Sequence, residues 1–140
     1  MENNQISEPV DFLKGLGIFL FGVLIDQITK YGAENIFRNY NFAFSLVVPK
    51  LVMYAVYFSI LSCILIFLFW HYRKLLKIEV IAWAFILAGA VSNVGERVIL
   101  GFVKDWIYIG NGIFNIADGY ILVGIIILLV KSKSSNYSNF

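Results

Sequence analysis

Apolar residues fall in four long blocks with short polar connections between them. The first runs from about Phe12 to Tyr31, and Gly15 to Ile25 carries no charge. The second, Leu51 to Trp70, is twenty residues without a charge. A third occupies 80–99 and a fourth 112–130. A helix rises about 1.5 Å per residue, so about 20 such residues cross a hydrocarbon core of about 30 Å. The pattern predicts four transmembrane helices at 12–31, 51–70, 80–99 and 112–130, within a single membrane domain over 1–140. The connection at 32–50 mixes charges, Asn and aromatics, and Phe42 to Val48 is rich in strand formers. A small extracytoplasmic β-structure is expected there, between the first and second helices. Pro49 suits the first turn of the next helix, where its missing N–H would be unpaired anyway. Residues 100–111 form a second outer connection. The polar tail KSKSSNYSNF, 131–140, is expected to be disordered.

Composition sharpens this to an all-α integral membrane protein. The chain has 140 residues, 60% hydrophobic and 14% charged, where a soluble domain is about half apolar and about a quarter charged. A net charge of +2 gives no reason to expect a nucleic-acid partner. The single cysteine, Cys63, leaves no intrachain disulfide and no multi-cysteine metal site. The lone His71 excludes a zinc-protease helix, which needs two. The N-terminus carries Glu2, Glu8 and Asp11, and the apolar run after it ends in Asp26-Gln27. That predicts a retained first helix and not a cleaved signal peptide. The short loop HYRKLLK, 71–77, is dense in Lys and Arg, which predicts a cytoplasmic side for it and for both termini.

Against this background the polar residues inside the blocks stand out. Asp26 lies about 17 Å along its helix from Gly15, and Asp118 about 18 Å from Val130. With the alternating topology these depths coincide near the outer face. Asn93, Glu96, Arg97, Asp105 and Asn115 fall at the same end. Ionisable groups at membrane depth are costly and by default functional. Two carboxylates held together split their pKa values and share a proton. Such a pair hydrolyses amides: the ionised member takes a proton from water, and the protonated member polarises the carbonyl and then protonates the leaving nitrogen. Structural readings stand beside this one. Asp26 and Lys30 are spaced as an intrahelical pair. Arg97 pairs with Glu96 or reaches to the interface. Ala84, Ala88 and Ser92 recur every fourth residue, as in close helix packing. A small proton-coupled transporter is a rival, but such carriers place acids near the midplane and show internal repeats.

Five segments carry a family resemblance. Asp26-Gln27-Ile28-Thr29-Lys30 resembles D-Q-x-S/T-K, and NYNFAFS, 39–45, resembles N-x-G-x-A-F-S. GAVSNVGER, 89–97, resembles G-A-x-x-N-x-x-D-R. GFVKDWI, 101–107, and FNIAD, 114–118, resemble G-x-V-x-D-F/W-I/L and F-N-x-A-D. These are motifs of the lipoprotein signal peptidases (signal peptidase II), membrane aspartic proteases of bacteria.

The resemblance implies a multi-pass protein of the bacterial cytoplasmic (inner) membrane. It implies removal of a signal peptide from a prolipoprotein, by cleavage before a diacylglyceryl-modified cysteine. It implies Asp105 and Asp118 as the catalytic pair. Asn39, Asn93, Arg97 and Asn115 would line the site, with Asp26, Lys30 and Glu96 supporting it. No cofactor and no metal are implied; the partners are the prolipoprotein and membrane lipids. The chain departs from the motifs at Glu96, where Asp is usual, at Asn41, where Gly is usual, and at Phe42, where the residue is usually small. These departures make a divergent member, and a non-cutting relative that binds lipoproteins is the alternative.

Overall fold

The computed structural model describes residues 9–41 and 46–137. Its elements in chain order are α1 (Pro9–Gly32), β1 (Phe37–Asn39), α2 (Lys50–His71), α3 (Lys77–Leu100), β2 (Val103–Asp105), β3 (Ile107–Ile109), β4 (Gly112–Phe114) and α4 (Ile116–Tyr137). A single 3₁₀ turn at Tyr72–Lys74 joins α2 towards α3. Three helical stretches, Phe12–Gly32, Lys50–Lys74 and Lys77–Leu100, are long and apolar enough to cross a membrane. Large apolar side chains stand on the outer surface of all four helices, among them Leu20, Phe69, Ile99 and Leu129. Outward apolar faces of this extent suit a lipid surround and not water.

α3 is the central helix and packs against both α1 and α4. Small residues make this possible. A Cβ added at Gly89 would sit 2.2 Å from the carbonyl oxygen of Ala117, and one at Gly124 would sit 2.6 Å from that of Ala82. On the other side, a Cβ on Gly22 of α1 would come within 3.0 Å of the Ala88 Cβ. Ala84, Ala88 and Ser92 are all buried. In lipid, where little hydrophobic force separates helix from tail, such backbone approach supplies the packing energy. α2 is more peripheral, and Met53 is its buried residue. It meets α3 through Phe67 against Trp83, with ring centroids 5.5 Å apart, and through Tyr54 and Tyr57 near Arg97.

The strands differ from the sequence expectation. β1 lies at 37–39 and pairs antiparallel with β2, Phe37 opposite Asp105 and Asn39 opposite Val103. β3 and β4 form a hairpin closed by Gly110 and Asn111, with Gly110 at φ 56. Three of the four strands therefore belong to the connection between α3 and α4, not to the one between α1 and α2. Short strands of three residues gain their stability from a partner, which local composition does not reveal. Residues 42–45, including Phe42, lie outside the described residues, and 46–49 carry no regular structure.

The fourth helix is also shifted. It starts at Ile116, because 112–114 are used in β4, and it continues to Tyr137 through residues expected to be an irregular tail. Residues 138–140 lie outside the description.

Candidate active site

The site forms at the end of the bundle where α1, α3, the β1–β2 pair and the start of α4 converge. Asn115 caps α4. Its Oδ1 accepts the Asp118 N–H at 3.0 Å, and Asp118 Oδ2 accepts the Asn115 N–H at 3.0 Å. This reciprocal capping box satisfies two amide groups that a helix start leaves unpaired. It also locks the Asp118 carboxylate at the third helical position, where the positive end of the helix dipole favours charge.

The Asn115 side chain has a second task. Its Nδ2 donates to Asp105 Oδ1 at 2.6 Å and to Asn93 Oδ1 at 3.1 Å. One asparagine thus bridges the two aspartates, one through its side-chain amide and the other through its backbone. Asn39 Nδ2 holds the other Asp105 oxygen at 2.9 Å, and Asn93 Nδ2 holds Asp118 Oδ1 at 2.9 Å. Asp105 is only 2% exposed, while Asp118 is half-buried. Burial pushes the Asp105 carboxyl up from its ordinary pKa; the Asn39 and Asn115 hydrogen bonds oppose this, the Asp118 charge adds to it, and Lys30 opposes it.

Beneath the pair lies a buried ionic core. Lys30, fully buried, gives its three N–H bonds to Asp26 Oδ2 at 2.7 Å, Asn93 Oδ1 at 2.9 Å and Glu96 Oε2 at 3.0 Å. An ammonium has three donors, and all are used. Asp26 in turn accepts from Ser92 Oγ at 2.5 Å and from the Ala117 N–H at 2.9 Å. A carboxylate on α1 therefore holds the first turn of α4. Glu96 Oε2 accepts the Lys104 N–H at 3.0 Å, next in sequence to Asp105. The longer side chain at this position spans from α3 to β2.

The Glu96–Arg97 pairing considered from sequence is not among the ion pairs of the described residues. Adjacent helix positions point about 100° apart, and Glu96 turns to Lys30 and Lys104. Nor does Arg97 reach out to an interface: it is 7% exposed. Its guanidinium donates to the carbonyls of Asn41 at 3.2 Å and Asn93 at 3.5 Å and lies 5.1 Å from the Tyr57 ring centroid. Asn41 N donates to Asn39 Oδ1 at 3.1 Å, so this non-glycine residue serves the loop through its backbone.

All nine residues singled out from the sequence (Asp26, Lys30, Asn39, Asn93, Glu96, Arg97, Asp105, Asn115 and Asp118) meet in this one network. Sequence reasoning missed four others. Ser92 was read as a small packer, yet it hydrogen-bonds Asp26 and accepts from Gln27 Nε2 at 2.8 Å. Tyr54 donates to the Arg97 carbonyl at 2.7 Å, and Tyr57 faces the guanidinium. Two tyrosines three apart within the charge-free stretch Leu51 to Trp70 were the available signal. Among the described residues, no group of three or more His, Cys, Asp or Glu is arranged to hold a metal ion.

The family model described as Signal peptidase (SPase) II matches residues 18–133. A lipoprotein signal peptidase of Acinetobacter baumannii is 30% identical over 143 residues, covering 84% of this chain and 81% of the relative. Those of Enterococcus faecalis and Gloeothece citriformis are 35% and 40% identical over 66% and 54% of this chain. These two matches span only 60% and 51% of the relatives' own lengths. A bacterial membrane enzyme solved at 2.3 Å resolution superposes with a TM-score of 0.76 at 25% identity, covering 91% of this chain and 92% of the other.

Proposed function

The chain belongs to the signal peptidase II family, and from that premise we propose that it is a membrane aspartic endopeptidase. Its substrate is a prolipoprotein, cut on the N-terminal side of a diacylglyceryl-modified cysteine. The observation that carries this reading is the Asn115 bridge, which ties Asp105 Oδ1 at 2.6 Å and Asp118 Oδ2 at 3.0 Å into one unit.

The chemistry follows from two neighbouring carboxyls sharing one proton. The ionised member removes a proton from a water molecule as its oxygen attacks the scissile carbonyl carbon. The protonated member donates a hydrogen bond to the carbonyl oxygen, and a proton from the pair then passes to the leaving nitrogen as the C–N bond breaks. The shared proton belongs to the pair and not to one residue. Asn39, Asn93 and Asn115 hold the carboxylates in place, and Arg97 presents charge where the substrate backbone passes. Asp26, Lys30 and Glu96 support them from below.

The topology proposed with this activity has four spans, α4 being the fourth, with both termini and the 71–77 loop cytoplasmic and the dyad at the outer face. The prolipoprotein reaches the dyad within the membrane, and lipids surround the helices.

The test is cleavage of a diacylglyceryl-modified prolipoprotein by purified protein in detergent or lipid. The wild type cuts, while Asp105→Asn and Asp118→Asn each lose activity by a factor of at least about 10²–10⁴, the range of general acid–base catalysis, and still insert and fold. Equal cleavage by wild type and variants would sink the dyad assignment. No cleavage by a folded wild type would point to a non-cutting relative.

A further inference from the structure

A groove of about 520 Å³ lies between α1 and α3 at the opposite end of the bundle from the aspartates. Lys14 and Lys30 are sixteen residues apart on α1, which is about 24 Å of helical rise. The groove is therefore separate from the candidate active site. Its volume falls in the range of about 300–1,000 Å³ typical of small-molecule clefts. Apolar side chains of both helices, Ile18 and Phe21 from α1 and Val80 from α3, line it. The helices touch at its edge, since a Cβ on Gly15 would lie 2.8 Å from Val80 Cγ1. At Gly17 a Cβ would meet nothing within 4 Å. The absent side chain at Gly17 thus leaves the cleft open.

The two charged residues lining the groove are both lysines, Lys14 on α1 and Lys77 at the first position of α3. Both are exposed, and neither forms an ion pair with another described residue. The nearest acid on α3, Glu79, is turned to the Leu76 N–H at 2.7 Å. The start of α3 adds the positive end of its dipole. An apolar cleft headed by two cations is complementary to a molecule with a long hydrocarbon chain and an anionic head.

We propose that this groove binds one anionic phospholipid, its phosphate between Lys14 and Lys77 and one acyl chain along Gly17, Ile18 and Phe21. Basic pockets between membrane helices hold acidic headgroups in this way.

The test uses the full chain in detergent micelles, with dioleoylphosphatidylglycerol as the probe and native mass spectrometry as the readout. Dioleoylphosphatidylcholine and glycerol phosphate serve as the uncharged-head and chainless comparisons. The expected result is one phosphatidylglycerol retained in preference to phosphatidylcholine, and no competition from glycerol phosphate. Lys14→Gln and Lys77→Gln each weaken binding about fivefold. Gly17→Leu fills the cleft and removes the bound lipid with the thermal unfolding midpoint unchanged. Arg73→Gln with Lys74→Gln, nearby but outside the groove, leaves binding as it was. Retention unchanged in the Lys14→Gln, Lys77→Gln double variant would overturn the proposal. So would equal loss on substituting Arg73 and Lys74, which would mean bulk attraction, or full competition by glycerol phosphate, which would mean an anion site without a lipid groove.

Discussion

Asp105 shows how a single carboxyl is set by opposing neighbours. Burial raises its pKa, the Asn39 and Asn115 donors lower it, and the charge of Asp118 raises it again. A carboxyl raised on folding binds its proton more tightly in the native state. Its stabilising effect is present below the ordinary carboxylate range of about 4 and fades as pH rises through the native pKa. The alkaline limb of the cleavage profile, where the pair loses its shared proton, should accordingly lie above that range. Asn39 Nδ2 favours the ionised form, so Asn39→Ala should move this limb to higher pH; kcat/KM measured against pH checks the direction. Lys30 is the other decisive residue. Replacing it with Met leaves Asp26 and Glu96 buried without their shared cation, at a cost of about 3–5 kcal/mol. Thermal unfolding in detergent should show a large fall for Lys30→Met.

At the scale of elements, the site depends on how closely α3 approaches the first turn of α4. Gly89 faces the Ala117 carbonyl, and any Cβ there meets backbone at 2.2 Å. Gly89→Ala should force the helices apart, costing about 1–3 kcal/mol. A displacement of about 1 Å at Asp118 should lower kcat on the order of 100-fold. Gly95 is the internal control, because nothing lies within 4 Å of its added Cβ. Gly95→Ala should keep activity and raise stability by about 0.5–1 kcal/mol, the usual gain for removing a helical glycine. Measuring unfolding and cleavage for both variants separates packing from propensity. The strands were the least legible elements. Gly110-Asn111 between Ile-Tyr-Ile and Gly-Ile-Phe is a recognisable hairpin signal, but nothing local marks Phe37–Asn39 as the partner of Val103–Asp105. The start of α4 was misplaced for the same reason. Gly112 to Phe114 is apolar enough to extend a helix, and the pairing with β3 takes it into a strand.

For the molecule as a whole, the expected orientation rests on the dense basic loop at 71–77. It is testable with one reagent. In a Cys63→Ser background, Glu34→Cys should react with a membrane-impermeant maleimide applied to the outside of intact cells, and Arg73→Cys should react only after the membrane is opened. The reverse labelling pattern would invert the topology and put the aspartates on the cytoplasmic side. The same arrangement explains the distribution of polarity. Charge buried within the bundle is gathered at one end, where Lys30 pairs with Asp26 and Glu96 and the Arg97 guanidinium is held by the Asn41 and Asn93 carbonyls. Large apolar side chains stand exposed along all four helices.

Sequence alone determined the long apolar helices, the polar cluster and the membership of Asp105, Asn115 and Asp118 in it, because hydropathy and helical rise act locally and motif spacing is read directly. Tertiary structure alone decided the partners: Asp26 with Ala117 across ninety-one positions, Ser92 with Asp26 across sixty-six, and Asn39 with Asp105 across sixty-six. It also decided that Glu96 serves Lys30 and the β2 backbone and leaves Arg97 to the carbonyls. The physical reason is that a buried charge or amide takes whichever partner packing brings within about 3 Å, and that choice is made by the backbone approach at Gly89 and Gly22, not by neighbours along the chain.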